Sequence, residues 1–77
     1  MEDVLAKVRE AFREAFDTDP QVITMDTSPD NLSGWDSLGH LTLASRLEET
    51  FGINLDVDDL MGMENVSDIV RIINSKL

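Results

Sequence analysis

Seventy-seven residues, 42% of them apolar, describe one small folded domain spanning 1–77 rather than a disordered tail or a multidomain protein. Sixteen acids against six bases give a formal charge of −10, a surface that repels nucleic acid and anionic membranes. With no cysteine the chain has no disulfide, thiolate nucleophile or sulfur-based zinc site, which fits a reducing, cytoplasmic setting.

The N-terminus, Met1-Glu2-Asp3-Val4, lacks the basic leader and apolar run of a signal peptide. Over residues 2–16, Leu5, Val8, Phe12 and Ala15/Phe16 recur three and four apart, which predicts an amphipathic helix with Lys7, Arg9, Glu10, Arg13 and Glu14 on its wet side. Asp17 to Asp36 holds both prolines, Asn/Asp-rich turns and Gly34, and reads as a long loop. Loops of this length within a compact domain are usually functional or well anchored; Val22, Ile23, Leu32 and Trp35 are the available anchors.

Asp36 or Ser37 is a suitable N-cap for a second helix, with Leu41, Ala44, Leu47 and Phe51 at helical spacing and Gly52 as the stop. Ile53-Asn54-Leu55 reads as a short linker. Asp56 to Met61 carries acids at its start, as a single helical turn prefers, and Gly62 ends it. Asn65 or Ser67 caps a last helix bearing Val66, Ile69, Val70, Ile72 and Ile73. Its run Ile69-Val70-Arg71-Ile72-Ile73 is far too short to span a bilayer. The expected fold is all-α: a small four-helix bundle of three longer helices and one short one, with a long loop between the first two.

The most informative residue is Ser37, in Gly34-Trp35-Asp36-Ser37-Leu38-Gly39-His40-Leu41. It stands where a loop hands over to a helix, and unpaired N–H groups and the helix dipole there favour a phosphate ester. Position alone more often describes an ordinary capping serine. Between Asp36 and Asp68 eight acids face only Arg46, so partners docking on this half should present lysine and arginine.

Asp36-Ser37-Leu38, preceded by Gly34 and followed by Leu47-Glu48-Glu49-Thr50-Phe51-Gly52-Ile53, resembles the acyl carrier protein family. The resemblance extends from the first helix through the long loop to the closing Val66…Ile73 segment. It implies that Ser37, flanked by Asp36 and Leu38, is esterified by the 4′-phosphopantetheine arm of coenzyme A through a separate phosphopantetheinyl transferase. The arm's thiol would hold acyl groups as thioesters, so the reactive sulfur comes from the prosthetic group and the chain itself is no enzyme. Leu38 and Leu41 match family positions that touch partners. Glu48 and Glu49 match acids that meet basic patches on acyl-loading and acyl-processing enzymes, and Met63 matches an apolar contact or cavity gate. The resemblance implies a monomer serving fatty acid, lipid or polyketide-type synthesis. An aminoacyl or peptidyl carrier, and an unmodified interaction module of the same fold, are the alternatives.

Departures from the family pattern narrow this. Gly39 and Thr42 stand where carriers of fatty acid synthesis commonly have acids, Arg46 adds a positive charge to the same helix, and Trp35 replaces a small residue. Together they suggest a specialised carrier. An interior lined by Leu47, Phe51, Leu55, Leu60 and Ile69 is the expected shelter for an acyl chain, with burial contributing about 0.8 kcal/mol per methylene. Two enzyme-like or metal-like readings are weak. Asp36, Ser37 and His40 are too close in sequence to arrange a hydrolase triad with an oxyanion hole, and Asp56, Asp58 and Asp59 lack the glycine and terminal glutamate of an EF-hand.

Overall fold

The computed structural model describes residues 4–77, and every regular element in it is helical: α1 Val4–Phe16, a 3-10 turn Pro20–Val22, α2 Ser37–Phe51, α3 Val57–Gly62 and α4 Val66–Lys76. This is the expected arrangement of three longer helices and one short one. Glu2 and Asp3, the first positions of the expected first helix, lie outside the described residues.

The helix ends follow from local chemistry. Asp17, with φ 53°, stops α1 in the left-handed region while its N–H donates to the Arg13 carbonyl at 2.9 Å. Asp36 caps α2, its Oδ1 accepting from Gly39 N at 2.8 Å. Gly52 closes α2 at φ 65°, a conformation glycine adopts without the Cβ cost. α3 opens on a capping box in which the Asp56 and Asp59 carboxylates each accept the other's backbone N–H. Of the two candidate caps for α4, Asn65 takes the role, accepting from Asp68 N at 2.8 Å.

The core is where the apolar periodicities converge. Val8, Ala11 and Phe12 of α1 meet Leu43 and Leu47 of α2 and Val66, Ile69 and Ile73 of α4, all without solvent exposure. Each fully buried aliphatic side chain contributes about 1.5–3 kcal/mol. α1 packs chiefly on α2 and also on α4.

The long loop between α1 and α2 is part of this core. Ile23, Thr27 and Trp35 are buried, Trp35 meeting the Phe12 ring edge-on at 5.1 Å. Arg9 Nε donates to the Ile23 carbonyl at 2.8 Å. The loop then lies across the head of α4, where the Thr27 and Met25 carbonyls accept from Val66 N at 2.9 Å and Ser67 N at 3.0 Å. These are N–H groups that a helix leaves unpaired in its first turn. Of the four expected anchors, Ile23 and Trp35 are buried and Leu32 packs partly against the core. Val22 is instead 56% exposed, because the 3-10 turn directs it outward while Ile23 faces in.

Candidate functional site

The head of α2 is built so that one side chain caps the helix and its neighbour is left over. Asp36 accepts from Gly39 N, and the His40 amide donates to the Asp36 carbonyl at 2.7 Å. Ser37, the first residue of α2, is exposed and its hydroxyl has no hydrogen-bond partner among the described residues. Sequence left Asp36 and Ser37 as rival caps. The structure assigns the work to Asp36, so the Ser37 Oγ is not needed to hold the helix.

Beside Ser37 lies an open groove of about 720 Å³ lined by residues of the long loop (Ser28, Pro29, Asp30, Trp35), of α2 (Ser37, His40, Leu41) and of the α3–α4 turn (Met63, Glu64). Leu38 and Leu41 are 75% and 58% exposed, which removes core packing as their role and leaves an apolar surface next to the serine. Met63 does not stand with them. It is buried and packed into the core while also bordering the groove. On the other side of the α2 head a smaller recess of about 490 Å³ is lined by residues including Phe16, Gly34, Leu38, Gly39 and Thr42.

Gly39 has a steric reason. A Cβ there would sit 2.1 Å from the Gly34 carbonyl oxygen and 2.8 Å from Phe16 Cε1, both far inside contact distance. The acid that many carriers have here does not fit this backbone, because the loop presses directly on the first turn of α2. Gly34, at φ 94°, makes that approach possible.

The two acids expected to meet partners are not equivalent. Glu48 is half-buried and its Oε2 accepts from Leu55 N at 2.8 Å, fixing the connector into α3. Glu49 is exposed and pairs with Arg46 at 3.3 Å, an i,i+3 surface pair that contributes little to stability. Thr42 donates from its hydroxyl to the Leu38 carbonyl at 3.2 Å.

Sequence inspection missed the role of His40. Trp35 Nε1–H donates to its Nδ1 at 2.8 Å, and its Nε2 lies 2.8 Å from the Leu60 carbonyl oxygen. The two rings stack 6.0 Å apart at 18°. Both nitrogens are engaged away from Ser37, which overturns the hydrolase triad. The i,i+5 spacing of Trp35 and His40 was visible, but nothing in it singled out α3 as the third partner. Among the described residues no group of three or more ligating side chains forms a metal site. Asp59 is engaged instead with Lys76 of α4 at 2.8 Å. That hydrogen bond, then the Asp56 backbone N–H, holds the Asp59 carboxyl below the usual carboxylate range, and the same contact raises Lys76. No helix among the described residues is long and apolar enough to cross a membrane.

A phosphate-linked arm fits this arrangement: the Ser37 hydroxyl is free and exposed, it stands at the positive end of a fifteen-residue helix, and the groove beside it has room for a flexible chain.

Comparison with known proteins agrees. Residues 6–73 match the phosphopantetheine attachment site family. An acyl carrier protein of Exiguobacterium sibiricum is 32% identical over 76 residues, covering 99% of this chain and 96% of its own. One from Thermotoga maritima is also 32% identical, covering 99% and 94%. The solution NMR structure of a holo acyl carrier protein from Geobacter metallireducens superposes with a TM-score of 0.85 at 33% identity, covering 95% of this chain and 84% of that one. The chain therefore belongs to the phosphopantetheine attachment site family, as an acyl carrier protein that bears a covalent phosphopantetheine and is not itself an enzyme.

Proposed function

We propose that Ser37 is the attachment residue, and that residues 1–77 work as one carrier domain delivering acyl groups to enzymes of fatty acid, lipid or polyketide-type synthesis. The observation that supports this most directly is the division of labour at the head of α2, where Asp36 caps and the exposed Ser37 hydroxyl stays free. Once esterified there, the arm supplies a thiol that carries the acyl group as a thioester. The chain's own residues do the rest. The first turn of α2 favours the phosphate electrostatically, Leu38 and Leu41 offer an apolar landing surface, and the acidic α2–α3 half steers partners with basic patches, the phosphopantetheinyl transferase first.

Within that surface Glu49 is the better steering acid, since Glu48 already holds the connector. The steric demand at Gly39, the Thr42 hydroxyl bonded to its own helix and the Arg46–Glu49 pair make α2 less acidic than the pattern common in fatty acid carriers. That supports a dedicated partner set. The deciding experiment incubates the chain with coenzyme A, magnesium and a promiscuous phosphopantetheinyl transferase and records intact mass. A single phosphopantetheine gain in the native chain and none in Ser37→Ala is expected. No gain in the native chain, or equal gain in Ser37→Ala, overturns the assignment.

A further inference from the structure

An indole N–H only donates and a backbone carbonyl only accepts. Placed between Trp35 Nε1–H and the Leu60 carbonyl, the His40 ring is therefore the neutral tautomer with its proton on Nε2, accepting at one edge and donating at the other. Trp35 is anchored in the core against Phe12, so the bridge runs from the core, through α2, to α3. Among the described residues it is the only hydrogen bond joining α2 directly to α3. α3 needs it, because no residue of α3 is fully buried.

We propose that His40 is a positioning residue that latches α3 to α2 beside Ser37 and so sets the shortest acyl cargo that inserts between those helices. The proposal rests on Ser37 being the attachment residue. A cargo tethered there has two places to go. The outer groove, bordered by Trp35, His40, Leu41 and Met63, takes a short chain with the bridge intact. The second is the apolar core around Leu47 and Ile69, closed in this structure; in the proposal α3, which buries no residue fully, is the element that yields to admit a chain, and its displacement parts His40 from Leu60. The cost of breaking the bridge is fixed, whereas the gain from burial grows with each methylene. A length threshold follows, and the latch sets where it falls.

The test loads the holo protein with straight-chain acyl groups from acetyl to dodecanoyl, verifies each by intact mass, and records the Tm rise over the holo form. The single tryptophan supplies a second readout, one indole N–H resonance. In the native chain short cargoes leave Tm and that resonance unchanged, and both move together beyond one chain length. In His40→Ala the onset of the Tm rise comes about two methylene groups earlier. Trp35→Phe keeps a ring in the core without the N–H and shifts the onset the same way, covering the case in which His40→Ala folds poorly. His40→Gln, whose amide both accepts and donates, restores the native onset. Identical onsets in all four mass-verified proteins overturn the latch, as does a Tm rise that leaves the native indole resonance in place. Failure of Ser37 to accept the arm is read earlier, in the mass, and overturns Ser37 as the attachment residue and the latch with it.

Discussion

The long loop before α2 and the helix α3 after it invert the usual relation between regularity and fixity. The loop, residues 17–36, has one 3-10 turn for regular structure, yet Ile23, Thr27 and Trp35 are buried in it and its carbonyls bond the head of α4. α3 is regular from Val57 to Gly62 and buries no residue fully, with Val57 and Met61 69% and 74% exposed. Apolar anchors hold the loop. α3 and the connector before it are held by the partly buried Leu55 and Leu60 and by polar pins: Glu48 to Leu55 N, His40 to the Leu60 carbonyl, and Asp59 to Lys76. A hydrogen bond is worth less than a buried aliphatic side chain and is broken by a smaller displacement. The site thus has a wall tied into the core on its loop side and, toward α3, a neighbour held with less burial, and Ser37 stands on the helix between them.

The largest test of this contrast exchanges the expected hierarchy of loop and helix. Ile23→Ala, in the loop, should cost about 2–5 kcal/mol as a cavity in the core. Val57→Ala, in α3, should stay within about 0.5 kcal/mol of native. Urea unfolding followed by circular dichroism measures both, and a larger loss for Val57→Ala would break the comparison. Next in size is Gly39→Ala. Its Cβ overlaps the Gly34 carbonyl, so the loop must retreat, at about 1–3 kcal/mol for overpacking. If the loop is firmly tied into the core, this substitution lowers Tm clearly; an unchanged Tm means the loop gives way freely.

The helices were legible because their signals are local. Apolar spacing marked α1, α2 and α4, and the turn of acids at Asp56–Asp59 marked α3, while the N-caps of α2 and α4 were narrowed only to two candidates each. The loop's anchoring was only half legible: Ile23 and Val22 are adjacent and equally apolar, and which faces the core depends on the 3-10 turn that Pro20 starts and Asp19 caps. At the site, Ser37 stood out from its position and the family pattern, and the exposure of Leu38 and Leu41 agrees with a contact surface. Met63 was read as an apolar contact or cavity gate; it is buried and borders the groove, and that burial comes from packing that no local pattern encodes. Gly39 was seen as a departure without its cause, a carbonyl five residues earlier pressed against the helix. The Trp35–His40–Leu60 bridge joins positions 20 residues apart at its long end, and a lone histidine carries no signal of such a partner.

Smaller effects probe the pins themselves. Glu48→Ala leaves the Leu55 N–H without its acceptor and should cost about 1–2 kcal/mol, whereas Glu48→Gln keeps an acceptor and should cost less. If Glu48 also steers partners, Glu48→Gln slows the transferase reaction at low salt while Tm stays close to native. Equal Tm losses for the two variants would show that the charge, not the hydrogen bond, holds the connector.

The weakest pin is Asp59–Lys76, and pH exposes it. The folded Asp59 carboxyl titrates below its unfolded value, because the Lys76 ammonium and then the Asp56 N–H stabilise the charged form. Its contribution is therefore fully present above the unfolded value and is lost as pH falls through the acid range toward the lower folded value. Lys76 is shifted upward by the same contact, so its share persists through neutral pH and fades only in strong alkali. Asp59→Asn removes both shifts. The expected result is a slightly lower Tm at pH 7, with the gap to native narrowing as pH drops below the carboxylate range. A gap of constant size across that range would mean that the capping box, rather than the ion pair, is what Asp59 contributes to α3.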